Sequence, residues 1–418
     1  MNRVVHDRTP RISDIGIVAL FVALLVAPML DAAFGGLFSY IDELTTIILV
    51  LWALLASCKL DSHSRKMVVL MALICILGLI GNVYYDYQQS PFAILVDLFT
   101  CLKIFIALLS AKIVLRDKNR CIKSVISIGK LFIVAGLIGL FFHVVGIVSL
   151  GSGRIMFGVP CYQFLFSHPT NLAAYCVGFI ALFFYSSRIK TGWLLALVIL
   201  LISTQRAKAF AMAFVVLFFI VYSYAKKDDG KPSPAVFLFL VAGALVLGLD
   251  QIQEYFLNGT AARSLLTSDG FDIAINSFPM GSGFATFATY MSGEYYSPLY
   301  YLYGLNTVWG LYPLNPVFVS DSFWPAVIAQ LGFIGLICII WLMKESFQMI
   351  SLSAKKNGIR FAAYGTIPIY LLILSTSDAS FFNFYGPFFA VVIGLIISTK
   401  DEGVRNGTIV EQRNLKGY

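Results

Sequence analysis

The sequence has few charged residues and few histidines for its length. Charged residues make up 12% of the 418 residues, hydrophobic residues make up 59%, and there are 4 histidines. The mean hydropathy of +0.84 is far above the range of soluble domains, so the composition excludes an ordinary soluble protein. The chain is therefore predicted to be an all-α, polytopic transmembrane helix bundle.

The sequence also lacks the motifs of several enzyme classes. It contains no DxD pair, HExxH helix, Walker loop or GxSxG elbow, which argues against a metal-dependent nucleotide-sugar transferase, a metalloprotease, an NTPase and an esterase. The 7 cysteines show no paired spacing and support neither a disulfide framework nor a zinc site. We expect no metal and no other cofactor.

Apolar runs of about 16 to 23 residues can cross a hydrocarbon core of about 30 Å as helices, and shorter ones cross it only in part. The first run begins near Ile15, after three arginines, and shows no convincing small-residue cleavage site, so we expect this span to be retained. Twelve candidate spans lie at about 15–34, 40–57, 67–84, 92–111, 126–149, 169–185, 193–205, 208–224, 234–250, 322–343, 361–376 and 384–398.

The basic residues indicate an orientation for these spans. The formal charge of +8 comes from short basic clusters between apolar runs, which are typical of topology signals and not of a nucleic-acid surface. Every second loop is basic, which predicts that both termini are cytoplasmic. The predicted divisions are spans 1 to 9 in residues 1–250, an extracytoplasmic loop domain at 251–321, spans 10 to 12 in 322–398, and a cytoplasmic tail at 399–418.

Four cations remain on the predicted outer side: Arg154, Arg206, Lys208 and Arg263. Lys103 lies within an apolar span. A charge there costs free energy, so we expect a charged or polar partner for it. The arginines are the better candidates for an anion site, because a guanidinium binds phosphate oxygens through two parallel hydrogen bonds.

Each arginine has a local setting that favours this interpretation and a simpler alternative. Arg154 stands near the membrane surface, where it could instead be an interfacial anchor. Arg206 follows the short run 193–205, which predicts either a shallow hairpin with Arg206 below the outer surface or misplaced boundaries. Arg263 could instead form a salt bridge with Glu254, Asp269 or Asp272.

Other residues in the outward loops could contribute to such a site. His168 precedes Pro169 at a helix start and is either a helix cap or a base. Asp321 at the mouth of the tenth span has the same two interpretations. Gly281 and Gly283 are typical of a tight turn or of close backbone approach. Tyr296, one of several tyrosines in 290–312, is suited to a sugar platform, an interfacial belt or a local core.

Three of these segments together resemble the bacterial Wzy-type polymerases of O-antigen, capsule and exopolysaccharide. The resemblance covers roughly residues 150 to 340, and it is carried by the order, spacing and common outward placement of the motifs. The motifs are Ser203-Thr204-Gln205-Arg206-Ala207-Lys208-Ala209-Phe210, Arg263-Ser264-Leu265-Leu266 with Phe278-Pro279-Met280-Gly281-Ser282-Gly283-Phe284, and Ser320-Asp321-Ser322-Phe323-Trp324-Pro325.

This resemblance implies a metal-independent glycosyltransferase in the superfamily that includes the O-antigen ligases. Its donor and acceptor would be glycans on undecaprenyl pyrophosphate, in the bacterial cytoplasmic membrane, with a flippase and a chain-length regulator as possible partners. The ligases carry a His where this chain has Asp321, which favours a polymerase. Family arginines correspond to Arg154, Arg206 and Arg263. A ligase and a lipid-linked oligosaccharide flippase or transporter remain as alternatives.

Overall fold

The structure is a computed structural model of the chain. It describes residues 14–56, 60–115, 119–156, 158–186, 191–225 and 261–398, together with Gly243. The predicted span at 234–250, apart from Gly243, and the predicted tail lie outside the described residues.

The described part of the chain is mainly helical. Its long helices are α1 (Asp14–Phe34), α2 (Ile41–Leu55), α3 (Ser62–Tyr85), α4 (Pro91–Val114), α5 (Asn119–Val145), α6 (Pro169–Tyr185), α7 (Thr191–Ser203), α8 (Ala207–Ala225), α9 (Ala262–Asn276), α12 (Phe323–Lys356), α13 (Phe361–Ser375) and α14 (Gly386–Ser398). The short helices are α10 (Tyr290–Glu294) and α11 (Pro298–Leu302). A two-stranded antiparallel hairpin, β1 (Gly151–Met156) and β2 (Val159–Tyr162), joins α5 to α6.

Five of these helices, namely α1, α3, α4, α5 and α12, are long and apolar enough to cross a membrane. Shorter apolar helices are α6, α7, α8, α13 and α14. The chain is therefore a multi-pass, mainly helical membrane protein, as its composition predicts. Helices α1 to α8 and α12 to α14 overlap eleven of the twelve predicted spans, and α12 continues past its predicted end at residue 343 to Lys356. The number of crossings and their orientation stay predictions.

Polar contacts in the bundle join ends that the predicted topology places on the same side. Lys112 at the end of α4 binds Asp61 before α3 at 2.8 Å, and both belong to predicted inner loops. His63 at the start of α3 binds Glu345 of α12 at 2.6 Å, again between predicted inner ends. This pairing agrees with alternating crossings among the described helices.

Helix α12 is broken at Gly332, whose φ of 63° and ψ of −170° are not helical. The loop after α9 lies against this break, because Ser282 N–H and Gly283 N–H donate to the carbonyls of Ala329 and Gln330 at 2.9 Å each. A Cβ on Gly281 would stand 2.3 Å from the backbone nitrogen of Gly332. The break thus exchanges helical hydrogen bonds for bonds to a neighbouring loop, as buried backbone requires.

The same loop is also fixed to α3 and α4. Asn82 of α3 accepts from the Phe284 N–H and donates to the Phe284 carbonyl, both at 2.8 Å. Asp97 of α4 accepts from the Ala285 N–H at 2.7 Å. Residues 261–321 have a small core of their own, which includes Leu266 and Tyr300, but their loop at 281–289 is buried in the helix bundle.

Candidate functional site

Six polar side chains from separate parts of the chain meet where several helices begin. They form three contacts: Arg206 Nη2 to His168 Nε2 at 3.0 Å, Lys208 Nζ to Asp378 Oδ2 at 3.3 Å, and Arg263 Nη2 to Asp321 Oδ2 at 2.9 Å. The three pairs also act on one another, since the charges of Lys208 and Asp378 both influence Asp321 and His168. We call these six residues the charged cluster.

The local backbone explains how the first two cations reach the charged cluster. Helix α7 has 13 residues, and at about 1.5 Å per residue it is shorter than a full crossing, as predicted. The chain then turns through Gln205, whose φ is 52°, and α8 starts immediately, with the Arg206 carbonyl accepting from the N–H groups of Ala209 and Phe210. The turn places Arg206 and Lys208 at one helix start.

Helix starts supply further positive potential. Helices α6, α8, α9 and α12 all begin beside members of the charged cluster, and a helix N-terminus carries a partial positive charge. Neither Ala261 before α9 nor Ser322 before α12 caps its helix with a side-chain hydrogen bond. Among the described residues of the cluster, three cations face two carboxylates, so the excess charge is positive and suits an anionic ligand.

His168 is neutral in this setting. Loss of hydration and then the charge of Arg206 lower the pKa of His168 to about 4. Both ring nitrogens face donors, because Nδ1 accepts from the Thr170 N–H at 3.2 Å and Nε2 lies 3.0 Å from Arg206. A neutral imidazole has one acceptor nitrogen, so it can accept only one of these bonds, and an imidazolium could accept neither. The ring therefore either caps α6 through Nδ1 or accepts from Arg206 through Nε2, and Nε2 can take up a proton only in the second tautomer, after Arg206 has moved to another partner.

Asp321 is the ion-pair partner of Arg263. The sequence suggested Glu254, Asp269 or Asp272 for this bond, and of these Glu254 lies outside the described residues. Burial raises the pKa of Asp321, although the charge of Arg263 opposes the shift. A carboxylate with a raised pKa is a better proton acceptor than an ordinary surface aspartate, which keeps Asp321 as the first candidate base.

Lys208 is a largely buried member of the charged cluster. Its ammonium donates to the Ser377 carbonyl at 3.0 Å and pairs with Asp378, and its side chain is 15% exposed. Asp378 in turn accepts from the Asn383 amide at 2.7 Å. Sequence reasoning missed Asp378. The available signal was a single carboxylate in the predicted outer loop between α13 and α14.

Arg154 does not join the cluster in the described part of the chain. It lies on β1 with an exposed side chain, and no hydrogen bond or ion pair connects it to the six residues. Its role in binding phosphate therefore stays a prediction.

The two glycines and Tyr296 have structural surroundings. Gly281 and Gly283 are buried, and a Cβ on Gly283 would stand 2.5 Å from the Asn82 backbone nitrogen, so both glycines permit close packing against α3 and α12. Tyr296 donates its hydroxyl to the Leu311 carbonyl at 2.7 Å and packs on Tyr300, within the small core of residues 261–321. These contacts explain the residue types without a ligand, and substrate binding by them stays a prediction.

Comparison with known proteins does not assign the chain. No protein-family model matches it, and no curated protein is significantly similar to it.

Proposed function

We propose that this protein is a glycosyltransferase that polymerises oligosaccharide repeats linked to undecaprenyl pyrophosphate, on the outer face of the bacterial cytoplasmic membrane. In this proposal both termini are cytoplasmic, and the charged cluster faces outward. A flippase would deliver the lipid-linked repeats and a chain-length regulator would limit the product.

One observation carries the proposal: Arg206, Lys208 and Arg263 meet at four helix starts, with an excess of positive charge over the described carboxylates. A pyrophosphate ester is the anion that this arrangement suits, because two phosphoryl groups can engage cations from separate segments. The apolar helices around it would accommodate a polyprenyl chain. Metal-independent departure of a pyrophosphate requires such fixed positive groups, since no metal would neutralise the growing charge.

The reaction can be written with these residues. A hydroxyl oxygen of the acceptor repeat attacks the anomeric carbon of the donor, and the bond from that carbon to the pyrophosphate oxygen breaks. Arg206, Arg263 and Lys208 stabilise the charge that develops on the pyrophosphate. The hydroxyl proton passes to Asp321, or to Nε2 of His168 when the ring proton is on Nδ1 and Arg206 has turned to the phosphate. Arg154 would bind phosphates of donor or acceptor from the hairpin.

The test is a reconstitution with one substrate. Purified protein in lipid nanodiscs is mixed with lipid-linked repeat alone, and the products are separated by gel electrophoresis. A ladder of polymer lengths supports a polymerase. Unchanged substrate contradicts it and leaves the ligase, which needs a lipid A core acceptor, and the flippase, which needs sealed vesicles for its assay.

A further inference from the structure

A cavity of about 90 Å³ is lined by residues that lie close in the sequence to members of the charged cluster and their partners. Its walls come from the end of α1, the start of α2, and the segments just before α6 and α14, all of which the predicted topology places on the outer side. Ser167 in its wall directly precedes His168, and Phe384 follows Asn383, the partner of Asp378. The chain thus connects the cavity wall directly to His168 and, through Asn383, to Asp378.

The polar groups of this cavity are acceptors and hydroxyls. Asp31 and Asp42 line it together with Ser39 and Ser167. Asp31 holds the loop between α1 and α2 through the Phe38 N–H at 2.9 Å, so its carboxylate is fixed in position. Asp42 is 6% exposed and forms an ion pair with Lys103. Fixed carboxylates bind vicinal hydroxyls well because they accept charge-assisted hydrogen bonds.

The apolar part of the wall includes two half-buried aromatic rings, Phe38 and Phe384. A sugar ring presents C–H groups on its faces and hydroxyls at its edge, so aromatic rings beside carboxylates and hydroxyls are suited to it.

The charge of this cavity is opposite to that of the charged cluster. Two carboxylates, Asp31 and Asp42, line the cavity, and among the described residues the one cation that contacts either of them is Lys103, which binds Asp42. The negative excess disfavours phosphates and acidic sugars, and it favours neutral or amino sugars. Two sites of opposite sign would thus separate the two parts of a glycosyl pyrophosphate.

We propose that this cavity binds a neutral or amino sugar of the lipid-linked glycan, beside the pyrophosphate site. The proposal rests on the proposed function, because that function supplies the glycan. The sugar could belong to the acceptor's free end or to the donor's first residue, and these sources share the same chemistry.

The test uses full-length protein in nanodiscs and three probes. The first probe is the repeat oligosaccharide released from its lipid, which has no phosphate and resembles the acceptor's free end. The second is a monosaccharide on undecaprenyl pyrophosphate, which resembles the donor. The third is undecaprenyl pyrophosphate alone, which reports on the charged cluster. Dissociation constants are measured for each by saturation-transfer NMR or thermophoresis.

The variants are Asp31→Asn, which removes the charge, and Ser39→Phe, which fills the cavity. Asp86→Asn is the matched control for the first, because Asp86 is an exposed aspartate in another predicted outer loop. Ser127→Phe is the control for the second, because its exposed hydroxyl, like that of Ser39, donates to a nearby backbone carbonyl in the described part of the chain. Unfolding temperatures are compared to exclude misfolded variants.

We expect Asp31→Asn to weaken binding of a sugar-containing probe about 10-fold. Ser39→Phe should abolish binding of the released oligosaccharide, or reduce the affinity for the lipid-linked monosaccharide to that for undecaprenyl pyrophosphate alone. Both variants should bind undecaprenyl pyrophosphate within twofold of the controls. Loss confined to the released oligosaccharide identifies the acceptor sugar, and loss confined to the lipid-linked monosaccharide identifies the donor sugar. The proposal is overturned if both variants bind both sugar probes as the controls do, or if the wild type binds neither. Failure of the wild type to bind undecaprenyl pyrophosphate contradicts the proposed function separately.

Discussion

Two groups of charged residues in this apolar protein differ in how their charges are matched. Lys103, 3% exposed within α4, contacts both Asp42 and Glu43, the latter at 2.7 Å. In the charged cluster the ratio is reversed, with Arg206, Lys208 and Arg263 facing two carboxylates and four helix starts. A buried charge with its partners in place is satisfied by the fold. A cluster in which cations outnumber carboxylates is suited to an anion from outside, which is why we propose the pyrophosphate site there.

The largest effect is expected from removing an arginine of the charged cluster. Arg206→Gln or Arg263→Gln should lower the polymerisation rate by about 10²- to 10³-fold, since each removes a fixed donor to the leaving group. The rate is measured in nanodiscs at equal amounts of folded protein. Arg360→Gln, an exposed arginine before α13 at the other end of the bundle, is the control. Activity of the two variants equal to that of this control would refute the role of the cluster.

Removing Lys103 should affect stability and leave the charged cluster intact. Lys103→Met leaves two carboxylates without their cation and should cost about 3–5 kcal/mol of unfolding free energy. Lys130→Met is the matched control, because Lys130 is exposed over the Trp193 ring at 5.9 Å and should cost about 1 kcal/mol or less. Unfolding in detergent measures both.

Adding Asp42→Asn and Glu43→Gln to the Lys103→Met variant tests whether the uncompensated carboxylates cause the loss of stability. Neutralising the carboxylates should recover part of the lost stability, because no uncompensated charge remains. A Lys103→Met protein as stable as the Lys130 control would show that the ion pairs around Lys103 are not needed by the fold.

Alanine substitutions at Gly281 and at Gly304 test whether Gly281 is required for close packing. Gly281→Ala should destabilise the protein by about 2–4 kcal/mol, because the new Cβ would overlap the Gly332 backbone and the residue has a φ of 81°. Gly304→Ala, with a φ of 68° and nothing within 4 Å of its Cβ, should cost about 1 kcal/mol. Thermal unfolding gives the difference. Equal costs would contradict the packing role of Gly281.

The smallest effect concerns the protonation of His168. Its lowered pKa means that the folded state favours the neutral ring, so this contribution to stability is complete above pH 6.5 and is lost as the pH falls towards 4. Arg206→Gln removes a neighbouring positive charge and should raise the pKa of His168. Histidine NMR, assigned with His168→Gln, measures the shift. An unchanged or lower pKa in the arginine variant would exclude the proposed interaction.

The sequence predicts the helices better than it predicts their contacts. Apolar runs located α1 to α8 and α12 to α14, because the length of a span is set by the bilayer and is visible locally. The short run before Arg206 likewise predicted the short helix α7. The hairpin at residues 151–162 and the insertion of residues 281–289 between helices were not predicted, since both depend on neighbours far away in the chain.

For the candidate site, too, the sequence predicts where residues lie better than which residues contact one another. Charge topology brought Arg206, Lys208, Arg263 and Asp321 to one side of the predicted membrane, but it could not pair them. Arg263 binds Asp321, 58 residues further on, instead of a neighbour on its own helix. Lys208 binds Asp378, 170 residues away. Such pairs are decided by which helix starts pack together, and that information is absent from local spacing.

The most direct test of the central claim is a cryo-electron microscopy structure of the full chain in nanodiscs with undecaprenyl pyrophosphate bound. We predict that the pyrophosphate lies within hydrogen-bond distance of Arg206 and Arg263, with Lys208 close to it and His168 released from Arg206. A pyrophosphate bound elsewhere, or one that contacts neither arginine, would contradict this prediction.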